Sequence, residues 1–455
     1  MAANQCDVVV IGLGPGGEAT ATQLAKAGLS VVAVDERLVG GECPYFGCIP
    51  SKMMVRASDT LAEAGRVEGL AGSAQVQPDW SPVHARIRDE ATDDWNDKVA
   101  VDRFVGKGGT FVRGTARISG PGQIKIDDQT YAATRGLVLA TGTRAVIPPV
   151  PGLAGTPYWT NRNAVEAATL PASLLVLGGG AIGCELAQVF ARFGVRVTVI
   201  EGSDRLLAME EPESSSVAAA ALTADGVRVL TGVHADAVAY DSEFTVRLTD
   251  GTSVTGSKLL VATGRAARLT ELGLEHIGLD PSARQLTTDP WMRVTDGVWA
   301  VGDVTGNGAF THMAMYEADI AVRDILGQGG PSADYRARPR VTFLDPEIGA
   351  VGVTAAQARD QGIDVVESYV QLSSTSRGWI HGPGNDGFIK LVADRQRGVL
   401  VGATTAGPAG GEMIGALSVA VHAAVPVPTL LSTIWAYPTF HRGIGDAVKG
   451  LGLGA

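Results

Sequence analysis

One pattern occurs twice in this chain at the same spacing, and it constrains the fold more than any other feature. Residues 7–11 form a short β-branched run, Asp7-Val8-Val9-Val10-Ile11, of the kind buried on both faces of a parallel sheet. It leads into Gly12-Leu13-Gly14-Pro15-Gly16-Gly17, an alanine-rich helical segment over 18–27, and a second apolar run over 30–34 that ends at Asp35. The pattern recurs as Leu174-Leu175-Val176-Leu177, then Gly178-Gly179-Gly180-Ala181-Ile182-Gly183, a helical segment to Phe193, and a run over 195–200 closed by Glu201. Gly12 to Asp35 and Gly178 to Glu201 have the same separation, so the two units superimpose in register. Strand, glycine turn, helix, strand and acid in that order make the βαβ unit that binds a dinucleotide. Gly12 allows the tight turn, Gly14 lets backbone approach a pyrophosphate, and Gly17 lets helix and strand pack closely. The helix N-terminus faces the phosphates, and Asp35 is placed to accept hydrogen bonds from a ribose. Gly178, Gly180, Gly183 and Glu201 repeat these roles. Two units imply two dinucleotides.

Between the units lies Gly40-Gly41-Glu42-Cys43-Pro44-Tyr45-Phe46-Gly47-Cys48-Ile49-Pro50-Ser51-Lys52. A disulfide closing so small a loop gains little chain entropy, so it is a poor staple. In a regular helix the two Cα atoms would lie about 8–9 Å apart, whereas a disulfide needs about 4.4–6.8 Å. The turn must be distorted, and Pro44 and Gly47 permit that. Past Cys48 the chain reads as a helix start, with Pro50 in the first turn. A thiolate there would feel the positive end of the helix dipole, which favours it as a redox group. On spacing alone, two reduced cysteines packed in a core fit equally well. With two dinucleotides beside a dithiol, the natural chemistry is electron relay from nicotinamide to flavin to disulfide.

At 455 residues the chain can hold about three domains with a substantial core. Its acidic residues exceed its basic ones by 11, which argues against nucleic acid and anionic membrane surfaces as partners. The longest apolar stretch, over 414–434, is interrupted by His422, Pro426 and Pro428 and is not a membrane span. A strand begins almost at the first residue, leaving no room for a signal peptide. Four cysteines is sparse usage that fits a reducing cytoplasm, with Cys6 and Cys184 read as buried small residues. No resident metal is expected.

These residues resemble the class I pyridine nucleotide-disulfide oxidoreductases, the family of dihydrolipoamide dehydrogenase, glutathione reductase, mycothione reductase and mercuric reductase. The family signature is close to GGTCxxxGCxPSK and here reads GGECPYFGCIPSK. Ala140-Thr141-Gly142-Thr143, Ala262-Thr263-Gly264-Arg265 and Val301-Gly302-Asp303-Val304 match its further nucleotide segments, and Thr342-Phe343-Leu344-Asp345-Pro346-Glu347 resembles the start of its dimerisation domain. The resemblance implies an α/β fold with two Rossmann-like dinucleotide-binding domains and a C-terminal α+β dimerisation domain. Its divisions would be an FAD-binding domain over 1–149, an NAD(P)H-binding domain over 150–267, a central domain over 268–335 completing the FAD site, and an interface domain over 336–455. The stretch 60–105 reads as a helical hairpin.

By resemblance, Cys48 is the thiol next to the flavin and Cys43 the thiol that attacks substrate. Lys52 sits one turn beyond Cys48, and Glu185 falls at the position that pairs with it near flavin N5. Asp303 would contact the ribityl chain, and further cofactor contacts are expected at Glu36, Gly41, Thr141, Gly142, Gly264 and Gly302. Glu201 favours NADH over NADPH, because a carboxylate there accepts both ribose hydroxyls and repels a 2′-phosphate. Only Arg205 stands near it as a basic residue.

The pattern breaks near the C-terminus. The family supplies its acid-base histidine in an HPTxxE-type motif that reaches across a homodimer. This chain has Tyr437-Pro438-Thr439-Phe440-His441-Arg442, with tyrosine for the histidine and arginine for the glutamate. An unperturbed tyrosine titrates near 10, so it can donate a proton but is a poor base at neutral pH. His441 could substitute if the segment is helical. The expected activity passes electrons from NADH through FAD and the Cys43–Cys48 disulfide to an unidentified disulfide, small-molecule or protein-bound, or to a thiol-bound substrate. The alternatives are transfer to metals or quinones, or a nucleotide-binding flavoprotein subunit or redox sensor with little turnover.

Overall fold

The computed structural model of this chain describes residues 3–453, which form two compact units. Of the described residues, the first comprises 3–50, 85–146 and 265–334, and the second 51–84, 147–264 and 335–453. The division falls inside helix Cys48–Gly65.

In the first unit the run at 7–11 lies in strand Asn4–Ile11, between parallel neighbours Val31–Asp35 and Gln129–Leu139. Val8, Val9 and Val10 are fully buried, as a strand covered on both faces requires. Thr110–Arg113 extends the sheet beyond Val31–Asp35, and Val298–Ala300 extends it beyond Gln129–Leu139, both in parallel. The strand order therefore reverses at Asn4–Ile11, and in such sheets ligands bind at the carboxyl ends beside the reversal. Helix Pro15–Lys26 follows the first strand. The apolar side chains of Val9, Ile11, Leu137, Leu139 and Ala300 share one core with Leu272 and Leu274.

The second unit repeats the plan with strands Arg228–Leu230, Arg196–Ile200, Ser173–Leu177 and Lys258–Val261 in one parallel sheet and helix Ala181–Arg192 after the glycine turn. It also contains a five-stranded antiparallel sheet, ordered Pro339–Thr342, Glu347–Gly352, Val399–Gly407, Phe388–Asp394, Val365–Gln371. Helices Gly410–His422 and Phe440–Gly450 share a core with that sheet. Lys390, on the fully buried strand Phe388–Asp394, ends among three carboxylates: Glu213 at 2.9 Å, Glu211 at 3.0 Å and Glu367 at 3.1 Å. Burial draws its ammonium down, but the hydrogen bonds it donates to the three glutamates outweigh that and hold it above the ordinary lysine range.

The stretch 60–105 is not a helical hairpin. Helix Cys48–Gly65 ends at a glycine, residues 66–80 are irregular, and only short helical pieces follow at Ser81–Arg86, Ile87–Ala91 and Lys98–Val105. Gly69 and Gly72 adopt left-handed backbone that helices exclude. Trp80 anchors the irregular piece by donating its indole N–H to Ala167 O at 2.7 Å and stacking on Phe190.

Candidate functional site

In the first unit, three segments far apart in sequence meet at the carboxyl ends of three adjacent parallel strands. They are the turn at Gly12, the segment from Ala140, and the segment from Val301. Ala140 N donates to Ile11 O at 2.8 Å and Val301 N to Leu139 O at 3.1 Å, which fixes their order. Gly12 has φ +92°, and a side chain there would collide with Ala140 O. A side chain at Gly17 would collide with Gly12 O, so helix and strand approach as closely as a glycine allows. No described atom lies within 4 Å of a Cβ built at Gly14, leaving its backbone accessible. Asp35 accepts from Leu13 N and Arg37 N, both at 2.7 Å. Burial raises its pKa against those bonds, and each oxygen keeps a lone pair for a further donor. Glu36 pairs with Arg144 and Arg37.

The dithiol segment is tied to this turn. Gly40 N donates to Leu13 O at 2.7 Å, and a Cβ on Gly41 would meet the Gly14 Cα. Cys43 lies in a single helical turn, Glu42–Tyr45, and Cys48 opens helix Cys48–Gly65, so the chain breaks between them at Phe46 and Gly47. The expected distortion is thus a break between two helical pieces. Both cysteines are thiols here, Cys43 half-buried and Cys48 exposed. The Cys48 Sγ lies 3.4 Å from Thr311 Oγ1, at the N-terminus of helix Thr311–Ile325.

Asp303 accepts from Thr143 Oγ1 at 2.8 Å, and Thr143 in turn accepts from Arg265 Nε at 3.0 Å. Burial raises the Asp303 pKa, and the Thr143 bond holds it back. Arg265 also lies 3.8 Å from Glu42, so the acid beside Cys43 and the one at Asp303 share a guanidinium. Buried Glu317 accepts from Gly302 N at 2.7 Å and fixes the turn that carries Asp303. Sequence reading missed Thr311 and Glu317. The helix start after the Asp303 segment was the available signal, but neither residue has a motif of its own.

In the second unit the glycine geometry recurs. Gly178 has φ +107° against Ala262 O, Gly183 has no room beside Gly178 O, and no described atom lies within 4 Å of a Cβ at Gly180. Gly264 lies just beyond strand Lys258–Val261, which pairs with Ser173–Leu177. Glu201 accepts from Gly179 N at 2.5 Å and Ser203 N at 2.6 Å. Arg205 donates to the carbonyls of Leu207, Ala208 and Glu210 and to Ser215 Oγ. Lys52 reaches Glu185 at 2.7 Å, Glu185 is buried, and its other oxygen accepts from Phe343 N at 2.9 Å. The Lys52 ammonium lies 4.5 Å from the centre of the Phe343 ring.

Tyr437 is 72% exposed in the link before helix Phe440–Gly450, and Ile434 beside it is 97% exposed. His441 is half-buried in the first turn of that helix, but the helix begins only at Phe440 and Thr439 before it is extended, so residues 437–441 are not one helical segment and His441 does not stand one helical turn beyond Tyr437. Arg442 is paired with Asp446 at 2.8 Å.

Residues 6–318 match the pyridine nucleotide-disulphide oxidoreductase model, and residues 338–448 match the dimerisation domain of that name. The chain belongs to the pyridine nucleotide-disulphide oxidoreductase family. It is 32% identical to a dihydrolipoyl dehydrogenase of Halobacterium salinarum over 97% of this chain and 95% of that protein. It is 30% identical to a mercuric reductase of Bacillus cereus over 97% of this chain and 71% of that protein. Among solved structures, LpdA from Mycobacterium tuberculosis matches with a TM-score of 0.86 at 27% identity, covering 98% of this chain and 99% of that one. A Cu(II) complex of the HOCl-induced flavoprotein disulfide reductase RclA from Escherichia coli matches with a TM-score of 0.85 at 25% identity, again over 98% and 99%. This pyridine nucleotide-disulphide oxidoreductase is therefore an NAD(P)H-dependent flavoenzyme with the mixed α/β fold of its family. The first unit fits FAD on its own geometry: the Thr141 hydroxyl is buried with no hydrogen-bond partner among the described residues, its Cα lies against the Gly12 turn, and the Cβ position of Gly14 is open. No described helix is long and apolar enough to cross a membrane.

Proposed function

We propose that the enzyme passes electrons from NADH through FAD and the Cys43–Cys48 pair to an acceptor that needs little acid-base help. The observation that carries this reading is the attachment of the dithiol loop to the phosphate turn, through Gly40 N to Leu13 O and Gly41 against Gly14. When bound, FAD supplies two-electron transfer between nicotinamide and dithiol. Gly12, Gly14, Gly17, Asp35, Thr141, Gly142, Gly302 and Asp303 would hold it, with Glu36 and Gly41 at the margin. Cys48, at a helix N-terminus, would be the thiol that serves the flavin, and Cys43 the one that meets the acceptor. The Lys52 ammonium, kept in place by Glu185, would supply positive charge to offset negative charge on the reduced ring.

NADH as donor is supported by Gly178, Gly180, Gly183 and Gly264 framing a second dinucleotide site and by Glu201 fixed at its strand end. Arg205 is committed to three carbonyls and a serine, so it makes a poor clamp for a 2′-phosphate. We further propose a cytoplasmic homodimer in which the partner's copy of the 437–442 segment completes each site. Tyr437 donates a proton there, with His441 as the other candidate.

Two chemistries compete for the acceptor: disulfides, as in the dihydrolipoyl dehydrogenases, and thiophilic metal ions. The second is favoured by the loss of the histidine and by likeness to mercuric reductases and to RclA, which is known as a Cu(II) complex. Anaerobic titration with NADH followed by spectra, then turnover with lipoamide, glutathione disulfide, Cu(II), Hg(II) and quinones, tests both. Absence of any dithiol-linked acceptor would reject the reading.

A further inference from the structure

Lys52 and Asp59 are seven residues apart on helix Cys48–Gly65, and Glu185 and Arg192 are seven apart on helix Ala181–Arg192. Seven residues is two turns, so each pair shares one helix face about 10 Å apart along the axis. The helices are joined at both levels, Lys52 to Glu185 at 2.7 Å and Asp59 to Arg192 at 2.9 Å. The polarity reverses between the two rungs. Each nitrogen of the Arg192 guanidinium goes to a different carboxylate: Nη1 to Asp59, Nε to Asp225 at 2.9 Å and Nη2 to Asp345 at 2.7 Å. Gln188, between the rungs, accepts from Asp345 N at 2.8 Å and donates to Asp345 O at 3.1 Å. The segment from Phe343 to Asp345 therefore binds both rungs, through Phe343 N to Glu185 and the Asp345 carboxylate to Arg192.

We propose that Asp59 and Arg192 are positioning residues for Lys52, a second rung that sets how deeply the Lys52–Glu185 pair sits and how its ammonium is aimed. This rests on the reading that Lys52 serves the reduced flavin.

The Asp59 carboxylate is an unfavourable choice for stability alone. Burial and the neighbouring Asp345 push its pKa up to about 6 despite Arg192, so the fold works against the charge it carries. Removing it should leave the fold intact, and what is lost is the tie between the two helices. A fixed guanidinium fork suits that task, because its planar donors define direction as well as distance.

The test uses the FAD-loaded enzyme and the rate of flavin bleaching by NADH in stopped flow. Asp59→Ala should keep FAD content and thermal midpoint, while the rate falls roughly tenfold, the scale of a modest misplacement in a site. Asp59→Asn retains an acceptor for Arg192 and should recover to within about twofold. Arg192→Lys keeps the charge but not the fork and should be slow like Asp59→Ala. In a Lys52→Met background, Asp59→Ala should slow the reaction less than about twofold further, because residues acting through one another are not additive. If Lys52→Met is slow and Asp59→Ala is not, the positioning role is wrong while the reading of Lys52 stands. If Lys52→Met bleaches at the normal rate, both fall. Additive slowing in the double variant, or an Asp59→Ala protein that fails to fold, would show a merely structural role and overturn the proposal.

Discussion

Tyr437 has the most consequences of any single residue here. With a phenol where the resemblance implies an imidazole, lipoamide and glutathione disulfide should turn over about 10²–10⁴-fold more slowly than in an enzyme that has the histidine, the usual contribution of general acid-base catalysis. Metal ions and quinones should suffer less. Tyr437→His should recover little by itself and more with Arg442→Glu, which removes a like charge beside an imidazolium. Fast lipoamide turnover by the unaltered enzyme, undiminished in Tyr437→Phe and His441→Ala, would reject this account. The dithiol gives a spectral check: NADH under anaerobiosis should produce a long-wavelength absorption that Cys48→Ser abolishes with FAD still bound. Asp59 gives a pH dependence of a less usual sign. Its folded pKa, near 6, exceeds its unfolded value of 3.8, so between those values the folded state holds the extra proton and stability falls as pH rises. Asp59→Asn should therefore match the parent near pH 4 and exceed it above pH 6. The gain should be about 1–2 kcal/mol, less than the full shift because water reaches part of the side chain. Equal thermal midpoints at pH 7.5 would contradict it. The residues behind these predictions differ in how openly the sequence announces them. Cys43, Cys48 and Lys52 stand in one motif, whereas Asp59 and Arg192 are ordinary charges on helices until the fold brings them together.

At the scale of elements, the two βαβ units were readable because the first and last glycines of each turn answer to a local steric demand. A methyl on Gly17 or Gly183 meets the carbonyl of the first glycine of its own turn. Gly17→Ala should thus strip FAD, and Gly183→Ala should raise the KM for NADH while FAD stays bound. Absorbance at 450 nm after desalting, with steady-state kinetics, separates the two, and a flavin-replete Gly17→Ala enzyme would show that the helix can shift. The stretch 60–105 misled for an equally physical reason. Its many charges, with Trp80 and Trp95 among them, read as helix, but Gly69 and Gly72 take backbone angles a helix excludes, and Trp80 finds its partners at Ala167 and Phe190, about a hundred residues away. Thr311 and Glu317 were illegible for the opposite reason. Their importance lies in what they touch, Cys48 and the Gly302 turn, and no local pattern encodes a contact across such a span.

For the molecule as a whole, the match to a dimerisation domain turns attention to Ile434, an almost fully exposed isoleucine three residues before Tyr437. Ile434→Arg should convert a homodimer into monomers that retain FAD but lose most turnover, as light scattering and activity together would report. A fully active monomeric parent enzyme would end the idea that a second copy completes the site. The family matches over residues 6–318 and 338–448 could be anticipated because both stretches carry motifs, and motifs are local. Ties such as Arg340 gripping Glu210, or Lys390 held by Glu211 and Glu213, join residues more than a hundred positions apart and leave no periodic trace. The Lys390 cluster also has a consequence for protein chemistry. Acylating reagents attack only an uncharged amine, and this one is held charged and shielded by three carboxylates. In a timed labelling experiment read by mass spectrometry, Lys390 should be the last lysine of the chain to react. The moment at which it begins to react would mark the point where the segment bearing Glu211 and Glu213 lets go of the strand that carries it.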